Sequence, residues 1–452
     1  MKPPDFPCER IPDDEPSVRL LGLYPQPREG FWMQRLKTPG GRLTGQQWRA
    51  LGAIARVYTP SAPLHLTTRQ DIELHDVPGE KVPELQQRLA DAGLTTVGAC
   101  GDTLRNVTVC PCSGALDASA DLMPAAGVIR SRLERMDGIY ELPRKFKIAL
   151  SCGGDCGQPY INDLGLIATE RDGQFGFCAI VAGSLGAKPA PGITFRAFLT
   201  PDETVDLAEA AVRMFARTGD RTNRRRARLR HVRERVGDGP FLAELTETFE
   251  RVRMERSPTE VPVRRAETGL TEQVRLHFPG GDISPDAADG LGRLTETGRA
   301  VAHLACHHSV MVFAPSRAEL DEMLAGSAAL PSPADDEATV VACPGSTWCR
   351  RALVDTRNVA KSIRAAVAGI PAGARTVCIS GCPNGCAHTA VADVGLSGRQ
   401  VRTNGSRTEA FDLYAGGAMG RTPRLAQRIA EALPANDVPQ AVAKLLDPRR
   451  EA

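Results

Sequence analysis

Two segments far apart in this chain read alike. GFWMQRLKTPGGRLT at residues 30–44 has a counterpart in GLTEQVRLHFPGGDIS at 269–284, with Pro39-Gly40-Gly41 matching Pro279-Gly280-Gly281. In each copy an extended stretch reaches a tight turn and a helical pattern follows. A strand then begins at His65-Leu66 or His303-Leu304, and a second helical pattern lies near 81–93 or 316–326. Further on, VTVCPCSGAL (107–116) aligns with VVACPGSTWC (340–349), and SCGGDCGQPYINDLGLIA (151–168) with GCPNGCAHTAVADVGLSG (381–398). Repeats this long that occur only twice exclude a solenoid and imply two α+β halves related by a pseudo-two-fold axis, with ligands favouring their shared interface.

Composition narrows the class. A chain of 452 residues is long enough for several cores, and 42% hydrophobic with 24% charged residues is the balance of a soluble protein. No apolar run is long enough to span a bilayer, and the first thirty residues lack the apolar centre of a secretory signal, so a cytoplasmic location and no membrane partner are expected. A net charge of +2 from 56 basic and 54 acidic residues gives no global field for nucleic acid. The basic run RTNRRRARLRHVRER (221–235) lacks interleaved aromatics and reads as a solvated or carboxylate-pairing helix face. Candidate linkers lie near 252–268 and 327–338.

Thirteen cysteines without an export signal point to thiols available to metals rather than to disulfides. Cys8, Cys100, Cys178, Cys306 and Cys378 stand alone and read as small buried hydrophobes. Cys343-x5-Cys349 followed by Cys382-x3-Cys386 offers four thiolates in two pairs, which suits a 4Fe-4S cluster or zinc. Zinc modules use tighter Cys-x2-Cys knuckles, so the cluster is the better reading. Elsewhere, strong donors gather in short polar islands beside apolar strands: Arg35, Thr67-Thr68-Arg69-Gln70, Gly101 to Asn106, and Leu142-Pro143-Arg144-Lys145-Phe146-Lys147. Because alternate residues of a strand share a face, Lys145 and Lys147 should present both ammonium groups to one pocket.

The cysteine spacing, the GCPNGC loop, the TTRQ motif and LPRKFK together resemble the siroheme-dependent sulfite and nitrite reductases over residues 18–430. The resemblance implies an α+β, internally duplicated fold. Its parts would be a ferredoxin-like half-domain (1–98) and a siroheme and substrate-pocket α/β domain (99–252) in the first repeat, then a second half-domain (260–332) and the 4Fe-4S α/β domain (333–452). It implies that Cys343, Cys349, Cys382 and Cys386 hold one 4Fe-4S cluster and that Cys386 also bridges to the siroheme iron. Arg35, Arg105, Lys145 and Lys147 would face the open side of that iron and bind the anion, with the two lysines as proton donors. Arg69, with Thr67, Arg144 and Asn384, would grip the macrocycle's carboxylates.

Siroheme carries many carboxylates and the substrate is itself an anion, so a cation-rich site follows from the chemistry. The second lysine of LPRKFK resembles the sulfite enzymes, because plant-type nitrite reductases place asparagine at Lys147. Six-electron reduction of sulfite to sulfide is therefore the leading expectation. Nitrite reduction to ammonia or a specialised biosynthetic reduction on the same scaffold is the nearest alternative. A precorrin-3B synthase-like oxygenase and an iron-sulfur electron carrier are readings of other classes. No dinucleotide fingerprint is present, so a ferredoxin or flavoprotein partner should supply electrons to the small oxyanion substrate. Three departures stand out. Cys110, Cys112, Cys152 and Cys156 mirror the cluster cysteines only in part, with Leu116 in the place of the fourth, and a second cluster there is not favoured. His65 and Glu73 stand where some relatives carry arginine and glutamine. The closing segment is short, with one helical stretch expected around 422–432.

Overall fold

The computed structural model describes residues 4–447 except 118, 154–157, 257–258, 334–336, 372, 374, 404 and 421. The duplication is visible in the strand order. The first half contains β1 (Leu23–Pro25), β2 (Phe31–Leu36), β3 (Leu64–Leu66) and β4 (Ile72–Pro78), then β5 (Thr108–Val109), β6 (Ile148–Ser151), β7 (Leu164–Arg171), β8 (Gln174–Val181) and β9 (Ile193–Leu199). The second contains β10 (Glu272–His277), β11 (Asp282–Ile283), β12 (Val301–Leu304) and β13 (Ser309–Ala314), then β14 (Thr339–Ala342), β15 (Thr376–Ser380), β16 (Val394–Thr403), β17 (Ser406–Ala415) and β18 (Gln427–Pro434). Sheets β5-β6-β7-β8-β9 and β14-β15-β16-β17-β18 have one topology: two parallel pairings followed by two antiparallel ones.

The two half-domains do not stand apart. At each Pro-Gly-Gly turn both glycines take positive φ, 59° and 71° at Gly40 and Gly41, 71° and 78° at Gly280 and Gly281. The left-handed turn costs glycine little and sends the next residue into the opposite half. Asp282 in β11 pairs with His65 in β3, and Arg42 bridges to His303 in β12. The helices that follow, Gly45–Tyr58 and Pro285–Glu296, are capped by Thr44 and Ser284 side chains. Their apolar stripes, Trp48, Leu51 and Ala55 against Ala288 and Leu291, are buried in one core that draws on both half-domains. Fully burying each large apolar side chain contributes about 1.5–3 kcal/mol.

Each α/β domain keeps its own core. In the first, helix Pro201–Thr218 starts at a Thr200/Glu203 capping box and packs Val205, Ala208, Val212 and Phe215 onto β6 to β8. In the second, helix Thr356–Val367 buries Val359, Ala360 and Ile363 beside β14 and β15. The helical stretch expected around 422–432 is instead β18, an edge strand on β17 followed by helix Val438–Leu446. Pairing to an existing ladder outweighed the helix-compatible composition of this short segment. Of the lone cysteines, Cys8, Cys100, Cys306 and Cys378 are buried as expected, whereas Cys178 is only partly covered. Among the described residues no helix is long and apolar enough to cross a membrane.

Two tests address this architecture. A Cβ at Gly281 would stand 2.9 Å from the Leu66 carbonyl, whereas one at Gly30, with nearly the same φ of 77°, would meet nothing within 4 Å. Gly30→Ala should cost only the left-handed backbone penalty of about 1–2 kcal/mol. Gly281→Ala should cost roughly 1–3 kcal/mol more in urea unfolding, because its clash is with backbone that cannot swing away. Equal costs would mean that the crossover is not tightly packed. The second test concerns His277, His303 and His307, where burial, with nearby arginines acting the same way, lowers the imidazoles from 6.5 to about 4, 3 and 4. A histidine depressed by folding favours the native state above its unfolded value and loses that advantage as pH falls towards the folded value. The apparent Tm should therefore drop by roughly 5 °C or more between pH 7 and pH 4.5, and less steeply in His303→Gln.

Candidate active site between the halves

The cluster cysteines sit in two loops at the ends of parallel strands. β14 leads into Cys343, whose amide donates to the Ile379 carbonyl at 3.0 Å, and a short turn Gly345–Trp348 brings Cys349 round. β15 leads into Gly381, whose N–H donates to Cys343 Sγ at 3.1 Å. Gly385, at φ 65°, bends the loop between Cys382 and Cys386. The sulfurs feel one another: burial first, then Cys386, pushes the Cys343 thiol up to about 12, and Cys386 also raises Cys349 and Cys382. None of the interactions that shift these three thiols comes from a cation, so bound metal is what would make them thiolates. Among the described residues no three donors close on a single ion, and the thiolates of a multi-iron cluster stand farther apart than ligands of one ion. Cys386 alone of the four is exposed, and Asn384, in the same loop, hydrogen-bonds Cys382.

The first half closes over this loop. The Thr67 hydroxyl accepts the amides of Arg69 (3.2 Å) and Asp71 (3.0 Å), which shapes the TTRQ turn. Thr68 Oγ1 donates to the Cys386 carbonyl at 2.8 Å, and Gln70 donates to the carbonyls of Val109 (2.7 Å) and Leu304 (2.8 Å), so one turn touches both halves. Arg69 spans Asn162 Oδ1 and the Asn106 carbonyl, both at 2.6 Å, while its Nε is buried without a partner.

Lys145 and Lys147 flank Phe146, which is fully buried against Phe215, so alternation does send both ammonium groups the other way. Among the described residues they form no hydrogen bond or ion pair, although both are recessed. Burial, Arg228, Arg105 and Arg144 push Lys145 down to about 7, and Cys386 pulls it back up. Burial, Arg69 and Lys145 hold Lys147 well below the usual lysine range. Two enclosed lysines without a counter-ion, beside an exposed cysteine and several arginines, describe a pocket that is electrostatically incomplete until an anion enters.

The family of this chain is now decided by comparison. Residues 100–252 and 334–451 match the nitrite and sulphite reductase 4Fe-4S domain, and residues 24–92 match the nitrite/sulfite reductase ferredoxin-like half domain. This chain belongs to the nitrite and sulfite reductase family. It is 30% identical to a ferredoxin–nitrite reductase of Synechococcus elongatus over 96% of this chain and 89% of that one. It is 29% identical to an assimilatory ferredoxin-dependent nitrite reductase of Haloferax mediterranei over 97% and 84%. Its fold matches the Mycobacterium tuberculosis NirA protein with a TM-score of 0.82 at 24% identity, over 95% of this chain and 87% of that one. The reductase is therefore an oxidoreductase with the family's siroheme and 4Fe-4S cluster, and the residues present fit both groups: four neighbouring thiols for the cluster, and for a carboxylate-rich macrocycle Arg69, whose buried Nε has no partner among the described residues.

Not every residue that the resemblance assigns lies where expected. Arg105 shares the lysines' electrostatic environment and is buried, donating to the Ala99 carbonyl. Arg35 does not point freely into it: its Nε donates to Glu73 Oε1 at 2.8 Å and its Nη2 to the same oxygen. Arg144 is held by Asp102 at 3.1 Å, which also pairs with Arg224. In the corresponding site of the first half, Cys110 is disulfide-bonded, against the expectation of free thiols, Cys112 and Cys152 lie near Arg42, which donates to the carbonyls of Cys110, Pro111 and Ser113, and Cys156 falls outside the described residues.

Sequence reasoning missed Arg228, which lies in the basic run read as a solvated or carboxylate-pairing face. It does pair with a carboxylate, Asp163 at 2.7 Å, but in the buried floor of the site. It also missed Asp163, which accepts the Lys147 amide at 2.8 Å, and the contact of Gln158 with His388 at 3.1 Å. No local pattern marks these residues, because their partners come from elsewhere in the chain. Asp163→Asn should leave Arg228 an uncompensated buried charge and cost about 3–5 kcal/mol in urea unfolding. The double variant Asp163→Asn/Arg228→Met should be less destabilised than that single one, and additive losses would refute the pairing.

Proposed function

We propose that this reductase carries out the six-electron reduction of nitrite to ammonia with electrons from a ferredoxin. The reading rests on the unpaired Lys145 and Lys147 beside the exposed Cys386, and the curated relatives that match almost the whole chain carry the name of ferredoxin–nitrite reductase. When bound, siroheme and the cluster would supply the redox chemistry and the electrons. Cys343, Cys349, Cys382 and Cys386 hold the cluster, while Arg69 and Arg144, with Thr67 and Asn384, hold the macrocycle. The protein's part in the chemistry is to draw the anion in, hold its oxygens, and deliver protons so that oxygen leaves as water. Lys145 and Lys147 each offer a proton at Nζ within one pocket, and Arg105 adds a guanidinium beside them.

Sulfite reduction is the second reading, and Lys147 is the observation that favours it, since plant-type nitrite enzymes resemble LPRKWN there. The two anions share charge-driven binding, so Lys147 bears on their ratio rather than on whether the site works.

The test is an optical spectrum with iron, sulfide and porphyrin analysis of anaerobically purified protein, followed by turnover with reduced ferredoxin. Siroheme bands, five irons per chain and nitrite turnover exceeding sulfite turnover are expected. Lys145→Ala should keep the pigment and lose roughly 100-fold or more in kcat, the scale of a lost proton donor. Lys147→Asn should raise the nitrite-to-sulfite ratio. Cluster iron without siroheme would overturn the mechanism, and faster sulfite than nitrite turnover would overturn the substrate.

A further inference from the structure

Two acids sit inside the cation-rich site. Asp71 and Glu73 are alternate residues flanking Ile72 at the start of β4, and each is only 3% exposed. Ile72 enters the core, so the two carboxylates share the opposite face. Glu73 is the direct cross-strand partner of Arg35 and accepts two hydrogen bonds from it through Oε1. Its other oxygen, Oε2, lies 3.1 Å from His75 Nε2, out of line for a good hydrogen bond, and the His75 ring is stacked 4.2 Å from Trp348. Asp71 accepts the Thr38 amide at 3.2 Å, and burial pushes its carboxyl up to about 6 against the opposing pull of Arg35, Arg105 and Arg69, so it is ionised at the alkaline pH where sulfite is a dianion. Burial works against the charge on Glu73, and the Arg35 ion pair outweighs it and holds the carboxyl below the ordinary carboxylate range. Within the same enclosed site, Lys145 and Lys147 have no carboxylate partner among the described residues. The acids are therefore placed against the arginines and not against the lysines.

We infer that Asp71 and Glu73 are built-in counter-ions of the anion pocket, which by offsetting Arg35 and Arg105 set the site for a singly charged oxyanion over a doubly charged one. The physical reason is linear: a fixed charge acts twice as strongly on a dianion as on a monoanion in the same place. An internal negative charge therefore penalises deprotonated sulfite twice as much as nitrite. The inference rests on the nitrite reading and supplies it with a mechanism that does not depend on Lys147. Glu73 and Asp71 act through the arginines and the field, as positioning and specificity residues, without touching the anion.

The experiment is optical titration of the oxidised, siroheme-loaded protein with nitrite and with sulfite, at a pH where sulfite is fully deprotonated, for the native chain, Glu73→Gln, Asp71→Asn and Glu73→Asp. Each neutral variant should tighten sulfite binding by roughly tenfold and nitrite by about threefold, shifting the Kd ratio towards sulfite. Glu73→Asp, which keeps the charge, should keep the native ratio. If Glu73→Gln fails to fold because Arg35 is stranded, Asp71→Asn, which removes no ion-pair contact, carries the test. An unchanged ratio in a folded, pigmented neutral variant would overturn the inference, as would loss of the macrocycle from both, which would assign the acids to cofactor binding. The native turnover ratio is measured separately, so failure of the nitrite reading shows there and failure of the counter-ion role shows in the variants.

Discussion

The crossover at the two Pro-Gly-Gly turns is the constraint on which the site depends. Each turn passes a strand from one half to the other, Asp282 beside His65 and Arg42 beside His303, and the helices that follow share one core. Neither half-domain could bury its apolar face as well alone, so the halves are locked in one relative position. That position brings the TTRQ turn of the first half onto the GCPNGC loop of the second, through the Thr68 hydroxyl on the Cys386 carbonyl. The pocket is made where the repeats meet, and the repeats have diverged so that one brings thiols and the other brings cations.

Electrostatics at this junction is sorted in layers. Outermost in the cation set, Arg144 and Arg224 share Asp102, and in the floor Arg228 is matched by Asp163. Arg35 is matched by Glu73. Arg69 and Arg105 are held only by neutral acceptors, and the ammonium groups of the lysine pair near Cys386 have no hydrogen-bond or ion-pair partner among the described residues. A buried charge that is paired does little to attract a ligand, whereas an unpaired lysine has its pKa held down by burial until a counter-charge arrives to restore it. The arrangement leaves that demand for a counter-charge at the junction of the two halves.

The corresponding loop in the first half is held in a different way. Arg42 binds the backbone carbonyls of Cys110, Pro111 and Ser113, as a guanidinium with several fixed donors can. Burial lowers Arg42 to about 10, and its charge is spent on holding the loop's shape. Its symmetry counterpart in the other half is Asp282, which pairs with Arg357 as that residue stacks over Trp348 at 4.3 Å, next to a cluster cysteine. The same turn thus ends in a cation at one site and in an anion at the other.

Much of this was legible in the sequence. The repeat required two like halves, the cysteine spacing picked out two loops that do converge, and alternation about Phe146 gave the common direction of Lys145 and Lys147, because these are properties of neighbours along the chain. The segment 422–432 was misread because it is short and its strand exists only through pairing with β17. The availability of each charge was likewise not readable. Arg35 looks like any other anion-binding arginine until Glu73, 38 residues on, is seen to hold it, and Arg228 looks like a surface charge until Asp163, 65 residues away, is found beneath it. Sequence alone determined which chemical groups the protein has and which local surfaces carry them. Only the tertiary structure decided which of those charges are already matched, because Coulomb energy depends on distance in space and on the water excluded around it, and neither is written in the order of residues.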